Sequence, residues 1–195
     1  MMIAFFDFDG TLTLKDSLLD FIKYAVGKWE YYIGLLTLSP MLAAYKFGFI
    51  NNHRAKEKFI AHYLKERDAV QFQKIADKYS LEQIDNIIRV KAMKKIAWHQ
   101  EQNHKIVIVS ASMECWLKKW CLKHNIELIA TRLEIQKGKL TGKFATKNCF
   151  GKEKVNRIKE CYELSEYSTI YAYGDSSGDK EMLEIADKKY YKYFA

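Results

Sequence analysis

Met2-Ile3-Ala4-Phe5-Phe6-Asp7-Phe8-Asp9-Gly10-Thr11-Leu12-Thr13 opens the chain with five apolar residues that run into two aspartates. So short a run, with no polar residue inside it, has no side meant for water. It reads as a buried strand of a parallel sheet covered on both faces. Two later runs repeat the form: Ile106-Val107-Ile108-Val109 stops at Ser110, and Ile170-Tyr171-Ala172-Tyr173 stops at Gly174-Asp175. Between and after them lie apolar residues at helical spacing, as in Met93, Ile96 and Ala97, or Trp116, Leu117 and Trp120, or Val155 and Ile158. Strands alternating with helices predict an α/β fold with a doubly wound parallel sheet. In such sheets ligands bind beyond the carboxyl ends of the strands, so the polar residues that end each run are the first candidates for a site.

Two segments depart from this alternation. Leu133 to Phe144 alternates apolar and polar residues around Gly138, the pattern of a β-hairpin appended to the sheet. From about Asp16 to Tyr79 only helical spacings occur, such as Leu18, Leu19, Ile22 and Val26, or Phe59, Ile60, Tyr63 and Leu64. The expected organisation is a catalytic core of residues 1–15 and 80–195 with an all-helical cap, 16–79, inserted after the first strand. Within that insert Trp29, Tyr31, Tyr32, Tyr45, Phe47 and Phe49 are expected to pack inside, and Leu38-Ser39-Pro40 reads as a turn.

At 195 residues, 49% apolar and 29% charged, the chain has enough core for one compact unit without disulfides. Cys115, Cys121, Cys149 and Cys161 form no C-x-x-C, and the five histidines lack zinc-ligand spacing, which points to reduced thiols and a cytoplasmic protein. The amino-terminal run meets Asp7 too early, and lacks a basic lead, to be a signal peptide. The formal net charge of +8 is spread in pairs such as Lys94-Lys95, so anionic partners are admissible. Aromatic residues make up 14%, but no basic-aromatic stripe forms a nucleic-acid motif, and no nucleic-acid partner is expected. Tyr31 to Ile50 contains one charge, Lys46; Pro40 and two glycines break it below a spanning segment. Contact of this stretch with a membrane surface is the less favoured alternative to packing.

The strand ends carry the chemistry. Asp7 and Asp9 are two residues apart, a spacing that turns both to one side of an extended chain. Asp175 and Asp179 in Gly174-Asp175-Ser176-Ser177-Gly178-Asp179 add carboxylates to the same edge. Oxygen-only donors suit Mg²⁺, a hard cation that also takes substrate phosphate. Ser110, with the amides of a following helix start, and Lys154 or Lys152 in Gly151-Lys152-Glu153-Lys154 would hold a phosphoryl group against Asp7. Neither a Walker loop nor a G-x-S-x-G elbow is present.

Asp7-Phe8-Asp9-Gly10-Thr11-Leu12-Thr13, Ser110, Lys154 and Gly174-Asp175-Ser176-Ser177-Gly178-Asp179, in that order, resemble the four motifs of the haloacid dehalogenase superfamily across the whole chain. The helical insert after the first motif, with Val109-Ser110-Ala111-Ser112, is most similar to the phosphoserine-phosphatase-like subgroup. The resemblance implies a Rossmann-like core and a Mg²⁺-dependent phosphatase acting on a small phosphorylated metabolite. Asp7 would be nucleophile and metal ligand, and Asp9 general acid and base with its main-chain carbonyl on the metal. Asp175 and Asp179 would complete the metal site, and Thr11, Ser110, Ala111 and Lys154 would bind phosphate. Phosphoserine phosphatases commonly carry a glutamate where this chain has Asp16, and a glycine where it has Ala111, which argues against phosphoserine as substrate. A lipid phosphate at a membrane surface and phosphotransfer to an alcohol are the alternatives within the same chemistry. Loss of the nucleophile, the mark of a non-catalytic phosphate-binding relative, is not seen.

Overall fold

The structure is a computed structural model that describes all 195 residues. The apolar runs become β1 (Met2–Phe6), β2 (Lys105–Met113) and β6 (Thr169–Gly174), the centre of a five-stranded parallel sheet. Strand order is β3-β2-β1-β6-β7, with β3 (Glu127–Thr131) and β7 (Lys188–Tyr191) at the edges. The two edge strands escape the apolar-run criterion, because β7 reads Lys-Lys-Tyr-Tyr and is mostly exposed, as an edge can be, and β3 holds only Leu128, Ile129 and Ala130 between Glu127 and Thr131. Leu133–Gln136 (β4) and Lys139–Phe144 (β5) form the expected antiparallel hairpin as a separate two-stranded sheet.

Alternation along each central strand divides the interior in two. Ile3 and Phe5 of β1, Val107 and Val109 of β2, and Ile170 and Ala172 of β6 face one cluster, packed against α7 (Lys152–Cys161) and α8 (Lys180–Glu184). Ala4 and Phe6, Ile106 and Ile108, and Tyr173 face the other, larger cluster. That cluster runs without a break into α1 (Ser17–Val26) and α4 (Ala69–Glu82) of the insert and into α5 (Val90–Glu101) and α6 (Glu114–Lys123). Phe21 of α1 stacks on Trp116 of α6 at 4.4 Å and meets Tyr79 of α4 edge-on at 5.2 Å. The indole of Trp120 donates to Asp85 (2.6 Å), and Ser80 Oγ accepts from the Trp120 amide (2.9 Å), so α4 and α6 are joined by polar contacts as well.

The insert contributes α1, α2 (Lys28–Lys46), α3 (Asn52–Leu64) and α4. Asp16, Asn51 and Asp68 cap α1, α3 and α4, each accepting a main-chain N–H three residues on. The Leu38-Ser39-Pro40 turn does not form: α2 continues through Pro40 for 19 residues. Pro40 lacks the N–H that would bond the Leu36 carbonyl, and Ser39 Oγ donates to that carbonyl instead (2.8 Å). α2 lies close on α3 at Gly34, where a Cβ would sit 2.4 Å from the Tyr63 hydroxyl; that hydroxyl donates to Tyr31 O (2.7 Å).

The expected interior packing of the insert's aromatics holds only for Tyr31. Trp29 and Phe49 are each 85% exposed and Phe47 75%, with Tyr32 and Tyr45 also outside. One layer of helices on the sheet cannot cover both sides of α2, so its outer side stays bare. No helix is long and apolar enough to cross a membrane.

Candidate active site

All four motif segments meet at the carboxyl end of the sheet. The Asp7 amide donates to Tyr173 O (2.9 Å), prolonging the β1–β6 ladder by one bond and holding Asp7 at the strand end. The chain then turns sharply, with Leu12 and Thr13 amides both donating to Phe8 O. Gly10 makes the turn at φ +81°, and a Cβ there would lie 2.4 Å from Asp175 Oδ2. Only glycine allows that loop to come so near Asp175.

Asp7, Asp175 and Asp179 each place a carboxylate oxygen within 4.8 Å of the others. Three carboxylates so close repel one another, and the structure supplies one cation among them. Lys154, buried in α7, donates to Asp7 Oδ1 (2.5 Å), Asp179 Oδ1 (2.6 Å) and Val109 O (2.8 Å), using all three of its protons. Burial opposes the charge on Lys154, but Asp7 and Asp179 outweigh it and hold the ammonium above its usual pKa. Of the two lysines left open by the sequence, Lys152 is exposed at the first position of α7 and takes no part.

Burial also pushes the Asp7 carboxyl up to about 7, against the pull of Lys154. Asp179 falls below its usual value because Lys154 and the Ser176 contacts overcome burial; its Oδ2 accepts from the amides of Asp175 and Ser176 and the Ser176 hydroxyl. Thr11 Oγ1 lies 3.1 Å from both Asp7 Oδ2 and Asp175 Oδ1 and can donate to one at a time. Asp175, the least buried of the three, is raised by desolvation. One lysine for three carboxylates leaves negative charge uncompensated, and every donor is an oxygen. A hard divalent cation such as Mg²⁺ fits that set.

Asp9 is not in this cluster. β1 ends at Phe6, so strand alternation no longer governs residues 7–9, and the two side chains find different partners. The Asp9 carboxylate accepts from the Ser17 amide (2.6 Å) and the Ser112 hydroxyl (2.5 Å). Burial, then the nearby Asp16, raises its pKa.

Ser110 does not adjoin a helix start. β2 runs on to Met113 with a register shift between Ser110 and Met113, and α6 begins at Glu114. Ser110 Oγ accepts from the Ser112 amide (3.0 Å), and the Ala111 carbonyl accepts from Thr131 Oγ1 (3.1 Å). That carbonyl also accepts from Lys56 Nζ (2.9 Å), a lysine of α3 that no motif marks. Burial depresses the Lys56 pKa, while Asp9, Asp16 and Asp7 pull it up. The Ser17 hydroxyl donates to that of Ser112 (3.0 Å) across 95 positions of sequence, a pairing with no local signal.

The haloacid dehalogenase-like hydrolase family model matches residues 4–184. Protein CicA of Caulobacter vibrioides is 35% identical over 196 residues, covering 99% of this chain and 86% of that protein. A probable phosphatase of Mycobacterium tuberculosis is 29% identical, over 93% of this chain and 65% of its own length. Among solved structures, a Bordetella pertussis protein of unknown function superposes with a TM-score of 0.83 at 21% identity, covering 95% of this chain and 86% of that one. A phospho-aspartyl intermediate analogue of phosphoserine phosphatase gives 0.67 at 19% identity, over 96% and 84%. These two likenesses concern the fold. With residues 4–184 of its 195 matched by the family model and the four motif segments gathered at one sheet edge, this chain belongs to the haloacid dehalogenase-like hydrolase family.

Proposed function

We propose that this protein is a Mg²⁺-dependent phosphatase that hydrolyses a phosphate monoester through a phospho-aspartyl intermediate on Asp7. The observation that carries the reading is the Asp7 carboxylate, held at the end of β1 between Lys154 and Thr11 beside the carboxylates of Asp175 and Asp179. Asp7, Asp175 and Asp179 would hold the ion, with the main-chain carbonyl of Asp9. When bound, Mg²⁺ offsets the charge of the carboxylates and of the phosphoryl oxygens.

An Asp7 oxygen attacks phosphorus as the bond to the ester oxygen breaks. Asp9, whose carboxyl burial and then Asp16 push upward toward the protonated form, gives its proton to the departing oxygen. The same carboxylate then takes a proton from water, which attacks the phosphorus and releases phosphate and free Asp7. The contacts of Asp9 to Ser17 and Ser112 fix its carboxylate for both transfers. Lys154 meets the charge that develops on the phosphoryl group, and Thr11 and the Ser110-Ala111 main chain bind its oxygens. Lys56, reaching the site from α3, lies where a second polar group of a small phosphorylated metabolite would meet the cap. The residue-16 and residue-111 differences from phosphoserine phosphatases favour a substrate other than phosphoserine.

The test is acid quench of the enzyme with a ³²P-labelled monoester and Mg²⁺. A base-labile phosphoenzyme, mapped to the peptide containing Asp7 and missing from Asp7→Asn, is expected. Turnover by Asp7→Asn at the wild-type rate, or full activity after exhaustive EDTA treatment, would overturn the reading.

A further inference from the structure

α2 is apolar all round, yet only one side of it is covered. From Tyr31 to Tyr45 it holds no charged residue. Tyr31 and Gly34 are buried and Leu35, Leu38, Met41 and Leu42 lean on the core, while Trp29, Tyr32, Ile33 and Leu36 stand outside, followed by Phe47 and Phe49 in the turn to α3. An exposed helix face in a globular protein ordinarily carries charged and polar residues. Here the polar residues on that side are Thr37 and Ser39, and both hydroxyls are turned back onto main-chain carbonyls, of Ile33 and Leu36. They offer water little, and the surface is an extended apolar patch of the kind that marks an interaction site.

The charges around the patch say what covers it. Lys28 and Lys46 stand exposed at its two ends, Arg54 is exposed just beyond the Phe47–Phe49 turn, and Lys23 donates to the Tyr32 hydroxyl (3.3 Å). None of these four forms an ion pair, and the one acidic residue of α2, Glu30, is held by Arg67 at 2.8 Å. An apolar strip with aromatic residues at both ends and free lysines beside them matches the boundary layer of an anionic bilayer: rings enter the acyl region while amines reach headgroup phosphates. A second copy fits less well, since antiparallel pairing of two α2 helices would set Lys28 of one against Lys46 of the other.

We propose that the outer face of α2 and the Phe47–Phe49 turn form a docking surface for an anionic lipid bilayer, on which the protein rests without spanning it. The turn leads directly into α3, whose Asn52 accepts from Asn148 (2.9 Å) and whose Lys56 bonds the Ala111 carbonyl, so the docked end and the active-site rim are adjacent.

The proposal is independent of the phosphatase chemistry, and its test reads binding. The full chain is sedimented with phosphatidylcholine vesicles with and without phosphatidylglycerol, alongside Leu36→Ser and the double variant Phe47→Ser, Phe49→Ser. These residues are outside the core, so the variants are expected to keep wild-type melting temperatures and soluble-ester turnover. Expected is binding that requires phosphatidylglycerol, weakens with salt, and falls about 10- to 100-fold in the double variant. Trp29 emission should shift to the blue on binding, a change absent from Trp29→Phe. No vesicle binding, or binding unaffected by these substitutions, would overturn the proposal. So would a wild-type dimer in sedimentation velocity that the double variant abolishes, because a second copy would then cover the face.

Discussion

The strand-end site and the outer face of α2 invert the usual relation between residue type and surroundings. At the site, three carboxylates and a lysine lie largely out of water, and Lys154 bonds Asp7, Asp179 and the Val109 carbonyl while leaving the carboxylates short of positive charge. On α2 and the turn that follows it, a tryptophan and two phenylalanines stand in water with no partner in the molecule. A buried charge without compensation and a large bare apolar patch are both unfavourable, and a folded chain retains them where something outside the chain completes them. On the functions proposed above, a cation and a phosphate ester complete the site, and a bilayer surface completes α2.

The largest effect is expected from removing the nucleophile. Asp7→Asn should cut phosphate release by at least ~10³-fold while leaving circular dichroism unchanged, because an amide neither attacks phosphorus nor supplies the anion that a metal needs. A residual rate above that would place the chemistry elsewhere and dissolve the contrast with α2.

Lys154→Met tests whether the buried ion network is held by its cation. It strands the carboxylates of Asp7 and Asp179 together, and chemical denaturation should show a loss of about 3–5 kcal/mol. An unchanged midpoint would mean that water reaches the cluster freely.

Added Mg²⁺ should do what Lys154 does only in part. Saturating binding at about 100 times Kd would stabilise the fold by about 2.7 kcal/mol, seen as a rise in melting temperature that EDTA reverses. Asp175→Asn should abolish the rise, and Phe47→Ser should leave it intact.

A third kind of burial gives a pH signature. His99, buried on α5 where that helix meets the sheet, bonds His104 and the Tyr173 hydroxyl, and burial drives its pKa down to about 3. Between about pH 6.5 and that value the unfolded chain binds a proton that the folded chain refuses. The His99 contribution to stability is therefore complete above about pH 6.5 and falls as pH drops, by up to about 1.4 kcal/mol per pH unit. His99→Gln should flatten that slope relative to wild type in denaturation curves across this range.

The smallest effect belongs to α2. Ser39→Ala removes the donor that satisfies Leu36 O beside Pro40, but that carbonyl is open to water, so the loss in denaturation should be at most about 1 kcal/mol. A larger loss would show that the outer side of α2 is shielded in the free protein.

The sequence by itself determined the sheet's central strands, the hairpin and the helical character of the insert. Those signals are local: an apolar run of strand length, a glycine between alternating residues, apolar positions at helical spacing. It also determined which strand ends carry acids, since Asp7, Asp9, Asp175 and Asp179 follow directly on those runs. Only the tertiary structure decided which of these acids share a site. Asp7 and Asp9 part company because the strand ends before them, and Lys154 rather than Lys152 enters because residues two apart on a helix lie about 200° round its axis, nearly on opposite sides. Lys56 reaches the Ala111 carbonyl across 55 positions and the Ser17 hydroxyl reaches that of Ser112 across 95, pairings that no local pattern marks. The aromatics of α2 show the same limit from the other side. Apolar residues announce that they would be covered, but whether anything within the chain covers them depends on how many layers the fold stacks, and here the layers end at α2.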